Sequence, residues 1–210
     1  MRSLIITTIG GDSCVESWRE GGASDMMFIN YHVTPTFKYP GIYKEVKRWW
    51  DYDYYWMPDE DIYLTGDSIT EMIETMVEHN IDLAQPSIFP LDHDSFPSWD
   101  RFVHCDGPDV IPSDFVEIMC PAFSKAALEA CIETFPKSSS GWGLDLVWSK
   151  ILQEKDMSIA IINSVIAKHT REVGAGNLYK ELKKKGILPS RERKGLMKEY
   201  GITEHSILNK

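Results

Sequence analysis

Two kinds of apolar pattern alternate along the chain. Short runs that are continuously apolar, β-branched or aromatic occupy residues 3–8, 26–33, 53–57, 82–85, 115–119 and 158–163, and each reads as a strand. Between them lie stretches of helical period. Ile69, Met72, Ile73, Met76 and Val77 follow i, i+3, i+4, i+7, i+8 spacing, and Ser68 with Glu71 matches a capping box. A second helix begins near Ser124, buries Ala127, Leu128, Cys131, Ile132 and Phe135, and ends at Pro136. A third follows Gly141-Trp142-Gly143, with Leu144, Val147, Trp148 and Ile151 inward, and a weaker one covers residues 43–50. Residues 89–112 show no period and read as a long loop rich in Pro, Asp and aromatics, a kind of loop that is often functional. Alternating strand and helix predict an α/β layered fold.

Length and composition add to this picture. The 210 residues fit one domain, with residues 175–210 as a basic helical extension, and 43% hydrophobic residues are enough for a core without staples. No apolar run reaches the ~18 residues of a membrane span, and no secretory leader follows the short run 4–9, so a cytoplasmic protein is expected. None of the four cysteines forms a CxxC pair, which predicts reduced, mostly buried thiols. The net charge of -10 is uneven. Residues 168–210 hold 11 Lys+Arg against 5 Asp+Glu, so the remainder is strongly acidic. An acidic body argues against nucleic acid as a partner. The basic segment could hold a phosphate or a membrane surface, although a solvated helix face is the commoner origin of such a run.

The sharpest local feature is Trp56-Met57-Pro58-Asp59-Glu60-Asp61, an aromatic strand running into three carboxylates. Open α/β sheets bind ligands at the carboxyl ends of their strands. Hard oxygen donors there suit Mg²⁺ or Mn²⁺, which could bridge a diphosphate and neutralise a leaving group. A solvated acidic turn is the alternative.

In context these residues resemble the GT-A-type nucleotide-sugar glycosyltransferases, whose Asp-x-Asp motif follows a strand in the same way. The resemblance extends to a subset known as a domain of unknown function and to glycosyltransferase domains of large algal viruses, the chloroviruses. It is carried by residues 52–61, Ala84-Gln85-Pro86-Ser87, residues 116–124, Gly141-Trp142-Gly143-Leu144-Asp145 and His169-Thr170-Arg171, in that order. The family tolerates Glu60 in the middle of the acidic motif.

The resemblance implies a GT-A fold, a mixed, mostly parallel sheet flanked by helices. It implies Asp61 as the main metal ligand, Asp59 as a contact to ribose or metal, and His169 as a third ligand, a set that leans towards Mn²⁺ over Mg²⁺. Asp145 becomes the candidate base that takes the acceptor proton. A helix-dipole role, or a contact to donor hydroxyls in a retaining enzyme, stays open for it. Thr8 and Gly10, at the end of the first strand, are candidate nucleoside contacts, and Lys44 stands where relatives carry a donor-facing lysine. Arg171 and the lysines at 183–185 could reach the diphosphate. Trp99 and Trp142 could stack on sugar rings, and Gln85, Asp92, His93 and Asp94 are acceptor-side candidates.

The expected activity is metal-dependent transfer of a sugar from a UDP-sugar donor to a glycan acceptor. A metal-dependent phosphohydrolase and a non-catalytic carbohydrate-binding module are the alternatives.

Overall fold

The computed structural model describes residues 1–11, 13–22, 24–33, 36–46, 50–89, 100–171 and 177–203. Its strands are β1 (Ser3–Ile9), β2 (Asp25–Asn30), β3 (Tyr54–Trp56), β4 (Ile62–Tyr63), β5 (Leu83–Ile88), β6 (Val110–Pro112), β7 (Ala122–Ser124) and β8 (Ile159–His169). The helices are α1 (Lys38–Val46), α2 (Gly66–Glu78), α3 (Lys125–Cys131), α4 (Leu144–Gln153), α5 (Asn177–Lys184) and α6 (Pro189–Glu199).

The strands form one mixed sheet in the order β2-β1-β3-β7-β5-β8-β4, with β6 also paired to β8. The longest pairings, β1 with β2 and β5 with β8, are parallel, while β7 lies antiparallel between β3 and β5. Leu4, Ile5 and Ile6 of β1 are buried, as expected of a strand covered on both faces.

Helix α2 packs Ile69, Met72, Ile73 and Met76 into the core, whereas Val77 at the rim of that face is 41% exposed. Its cap lies upstream of the expected box, because Thr65 accepts from the Ser68 backbone N–H at 3.2 Å. Ser124 caps α3 as expected, accepting from Ala127 at 3.1 Å, and Pro136 lies inside the 3₁₀ turn Ile132–Lys137 that ends this segment. Helix α4 begins from Gly143 at φ +90°, where a Cβ would come within 2.9 Å of the Arg193 Cα. Only glycine meets both demands at that position. Tyr39, Phe123, Phe135 and Trp148 stack with ring centroids 5.1–6.1 Å apart, which locks α1, β7 and α4 together.

Three expectations are corrected. Residues 115–119 form no strand. Phe115 and Val116 are buried, yet their segment is irregular, and the paired strand is β7 instead. An apolar run records burial, and burial alone does not require a ladder. The weak helix expected at 43–50 starts further back, α1 covering Lys38–Val46 with Tyr39, Ile42 and Val46 on its inner face, and residues 47–49 of the expected span lie outside the described residues. The long loop 89–112 ends in β6, a strand too short to show a period.

The basic C-terminal segment is part of the core. Leu196, Met197 and Ile202 join the main hydrophobic cluster, and Glu192 of α6 accepts from the backbone N–H groups of Ser139 and Ser140, both at 2.9 Å. Cys120 and Cys131 are buried, Cys14 is half-buried and Cys105 is exposed; all four are free thiols. No helix among the described residues is long and apolar enough to cross a membrane.

Candidate active site

The acidic motif is held from three sides. Met57 donates to the Pro121 carbonyl at 2.9 Å and Asp59 to that of Met119 at 2.6 Å, so the segment after β3 runs on beside residues 119–121. Thr7 at the end of β1 donates its hydroxyl to the Pro58 carbonyl at 2.6 Å. The Ile62 N–H bonds back to the Asp59 carbonyl at 3.1 Å, closing a turn that presents the carboxylates at the strand end.

A break in strand pairing brings the distant half of the site to this turn. The β5–β8 register shifts between Pro86 and Ser87, and the Ser87 hydroxyl lies 3.2 and 3.1 Å from the carbonyls of Asn163 and Val165 across the bulge. Beyond it, β8 pairs with β4 and places His169 opposite Ile62. Thr170 then anchors the end of the strand, its N–H 3.0 Å from the Asp61 carbonyl. Bulges commonly re-aim a strand near a functional site in this way.

These elements enclose a cleft of about 290 Å³. Thr8 and Gly10 line one end, with Tyr31 and Phe37. Asp59, Glu60 and Asp61 also line the cleft, with His169 and Arg171 beside them, as do Trp142 and Tyr179 of α5. His169 Nε2 stands 3.7 Å from Asp61 Oδ2, and both side chains are nearly buried, at 12% and 13% exposure. Arg171 lies 3.1 Å from Glu60 and 3.8 Å from Asp61. Glu60 also accepts from the Gly10 N–H at 2.6 Å, which ties the end of β1 to the acidic motif. Burial, reinforced by Asp59, raises the Asp61 carboxyl above the ordinary range, and His169 and Arg171 counter that rise.

Several sequence candidates take different positions. Lys44 is exposed in the last turn of α1, outside the cleft wall. Lys38 lines the cleft instead, its ammonium 2.7 Å from Asp59 Oδ1 and 3.1 Å from the Ile118 carbonyl. The helix starts six residues earlier than Lys44, so the first-turn lysine is a different one. The lysines at 183–185 are exposed on and just beyond α5, and none lines the cleft. Gln85 is buried behind the wall, where its Oε1 accepts from the Glu117 N–H at 2.6 Å. Asp92, His93, Asp94 and Trp99 fall outside the described residues.

Asp145 sits in the first turn of α4, and its Oδ1 accepts from the Leu146 N–H at 2.9 Å. Burial pushes its carboxyl up to about 7, against the opposing pull of backbone N–H groups and Arg193. It does not line the cleft itself. Glu117, which sequence reading missed, does line it. Its signal was a lone charge inside the apolar run 115–120.

The residues that could contribute to holding a divalent cation are Asp61, His169 and Asp59. Asp61 and His169 converge as a carboxylate and imidazole pair, whereas Asp59 is engaged by Lys38. Among the described residues no group of three His, Cys, Asp or Glu side chains gathers as a ready-made cation site. Asp59 would join such a site by exchanging Lys38 for the metal.

No family model and no curated protein matches the chain. Solved structures do. A197 from STIV superposes with a TM-score of 0.53 over 82% of this chain and 87% of its own, at 13% identity. TarS from S. aureus does so with a TM-score of 0.53 over 81% of this chain, at 8% identity, the match spanning 37% of TarS. At these identities the likeness establishes architecture alone, a GT-A-like fold with a mixed, mostly parallel sheet flanked by helices.

Proposed function

We propose that the protein is a glycosyltransferase that moves a sugar from a UDP-sugar to a hydroxyl of a carbohydrate acceptor. The observation that carries this reading is the convergence, at strand ends of a GT-A-like sheet, of an acidic motif with His169, Arg171 and Lys38 around one cleft. Thr8, Gly10 and the aromatic faces of Tyr31 and Phe37 offer a nucleoside a flat, partly polar seat. Arg171 and Lys38 are the cations within reach of a diphosphate; fixed in a half-buried wall, they offset the charge that develops as the leaving group departs. Mn²⁺ or Mg²⁺, held by Asp61 and His169 with Asp59 in reserve, would supply further charge neutralisation at the diphosphate. Trp142 gives the transferred or accepting sugar an aromatic face.

The reading is tested by incubating the protein with a panel of UDP-sugars, with and without oligosaccharide acceptors, in Mn²⁺ and in EDTA. Acceptor-dependent release of UDP with one preferred sugar is the expected result, diminished by EDTA. Release of inorganic phosphate from simple phosphate esters would point to a metal-dependent phosphohydrolase. Glycan binding with no response to UDP would point to a carbohydrate-binding module.

A further inference from the structure

One carboxyl group in the cleft wall has no structural employment. Glu117 belongs to the irregular segment between β6 and β7, and its backbone is clamped. Its N–H is held by Gln85 at 2.6 Å, and the next carbonyl, that of Ile118, receives both the Lys38 ammonium and the Tyr39 hydroxyl. The residue lines the cleft. Its Oε2 is buried and has no hydrogen-bond partner among the described residues. Folded proteins rarely leave such an atom unmet, because burying an acceptor without a donor is costly.

Among the described residues no group supplies the missing donor. The groups that face Glu117 are Asp145 from α4, Asp59 from the acidic motif, Tyr39 and Lys38 from α1, and Tyr179 from α5. Asp145 and Asp59 repel it. Lys38 is engaged by Asp59 and by the carbonyls of Ile118 and Met119. The Tyr39 hydroxyl is spent on the Ile118 carbonyl. An incoming hydroxyl group is the complement this oxygen lacks. Asp145, by contrast, already accepts from the Leu146 N–H and stands behind the wall.

We propose that Glu117 accepts the proton of the acceptor hydroxyl during transfer. The inference rests on the glycosyltransferase reading above. In the step, the acceptor oxygen forms a bond to the anomeric carbon of the donor sugar. The bond from that carbon to the β-phosphate oxygen breaks, and its electron pair leaves with the nucleoside diphosphate. The acceptor proton passes to Glu117 Oε2 and afterwards to water. A single displacement of this kind inverts the anomeric configuration. Burial, then Asp145 and Asp59, push the Glu117 carboxyl up to about 8, so the base acts from its ionised form and transfer is expected to rise with pH towards 8.

The test compares Glu117→Gln and Glu117→Asp with the wild type, measuring kcat for transfer at saturating donor and acceptor and the Kd for UDP. Glu117→Gln keeps size and hydrogen-bonding reach but cannot take the proton. A loss of about 100-fold or more in kcat, with UDP affinity within about twofold of wild type, is the expected result. Glu117→Asp, which keeps a carboxylate one methylene short, is expected to retain intermediate turnover, and it carries the test if the glutamine variant does not fold. Wild-type kcat in Glu117→Gln overturns the proposal while leaving the glycosyltransferase reading intact. Loss of UDP binding in Glu117→Gln also overturns it, in favour of a donor-site role. A wild-type protein that neither binds UDP nor transfers sugar overturns the underlying reading and this inference with it.

Discussion

Asp61→Ala is expected to lower sugar transfer by on the order of a thousandfold while leaving the protein folded. The side chain is nearly buried where the acidic turn meets the end of β8, and it is the carboxylate that faces both His169 and Arg171. Removing it takes away the carboxylate half of the Asp61–His169 pair in the cleft wall, and it frees Arg171 from one of its two anchors. The fold does not depend on that side chain in the same way. Burial and Asp59 already work against its ionised form. The contacts that join the turn to β8 are made by the Asp61 carbonyl, which receives the Thr170 N–H at 3.0 Å and its hydroxyl at 2.8 Å. Turnover assays paired with circular-dichroism melts check both halves. Full activity in the folded variant would move the donor site away from the acidic motif.

The stability of the unliganded protein is expected to fall as pH rises from about 5 to 8, the reverse of ordinary acid denaturation. Glu117 and Asp145 both have carboxyls raised in the folded state, to about 8 and about 7, chiefly by burial. Between their ordinary range and those values the folded protein holds protons that the unfolded chain has released. The unfolded state therefore binds fewer protons, and stability declines with each step upward in pH. Asp61, also raised, adds a slope of the same sign. Asp25 and Glu181 are lowered, but their contribution is complete once the pH exceeds the unfolded carboxylate range, so it does not oppose the fall within this window. At 1.36 kcal/mol per pH unit for each proton retained, the total is on the order of a few kcal/mol. Urea unfolding at pH 5, 6, 7 and 8 measures it, and Glu117→Gln is expected to flatten the slope. A midpoint that stays level or climbs across this range would show that these carboxyls are better solvated than the structure places them.

Much of the scaffold was legible because burial and period coincide. Strand β1, the inner face of α2 and the glycine-started α4 each carry their pattern within a dozen residues. Other features depend on contacts that no local window contains. Residues 115–119 are apolar because Phe115 and Val116 fill the core, yet the ladder beside β3 belongs to Ala122–Ser124. Lys44 and Lys38 cannot be told apart until the start of α1 is known, and the inner face of that helix is short. Asp61 and His169 meet across a two-residue pairing of β4 with β8 beyond a bulge, a junction too brief to leave any period. The resemblance to GT-A enzymes put the two residues forward together, and in the structure their side chains lie 3.7 Å apart. Glu117 was visible only as a charge out of place in an apolar run. Its meaning needed the cleft and the missing hydrogen-bond partner.

The claim on which everything else rests is that this cleft receives a nucleoside diphosphate. Calorimetric titration of UDP into the wild-type protein, with Mn²⁺ and again with EDTA, tests it most directly. The expected result is saturable binding of one UDP per chain, strengthened by Mn²⁺ and lost in Asp61→Ala. Absence of heat of binding under both conditions would contradict the account and leave the shared architecture without the shared chemistry.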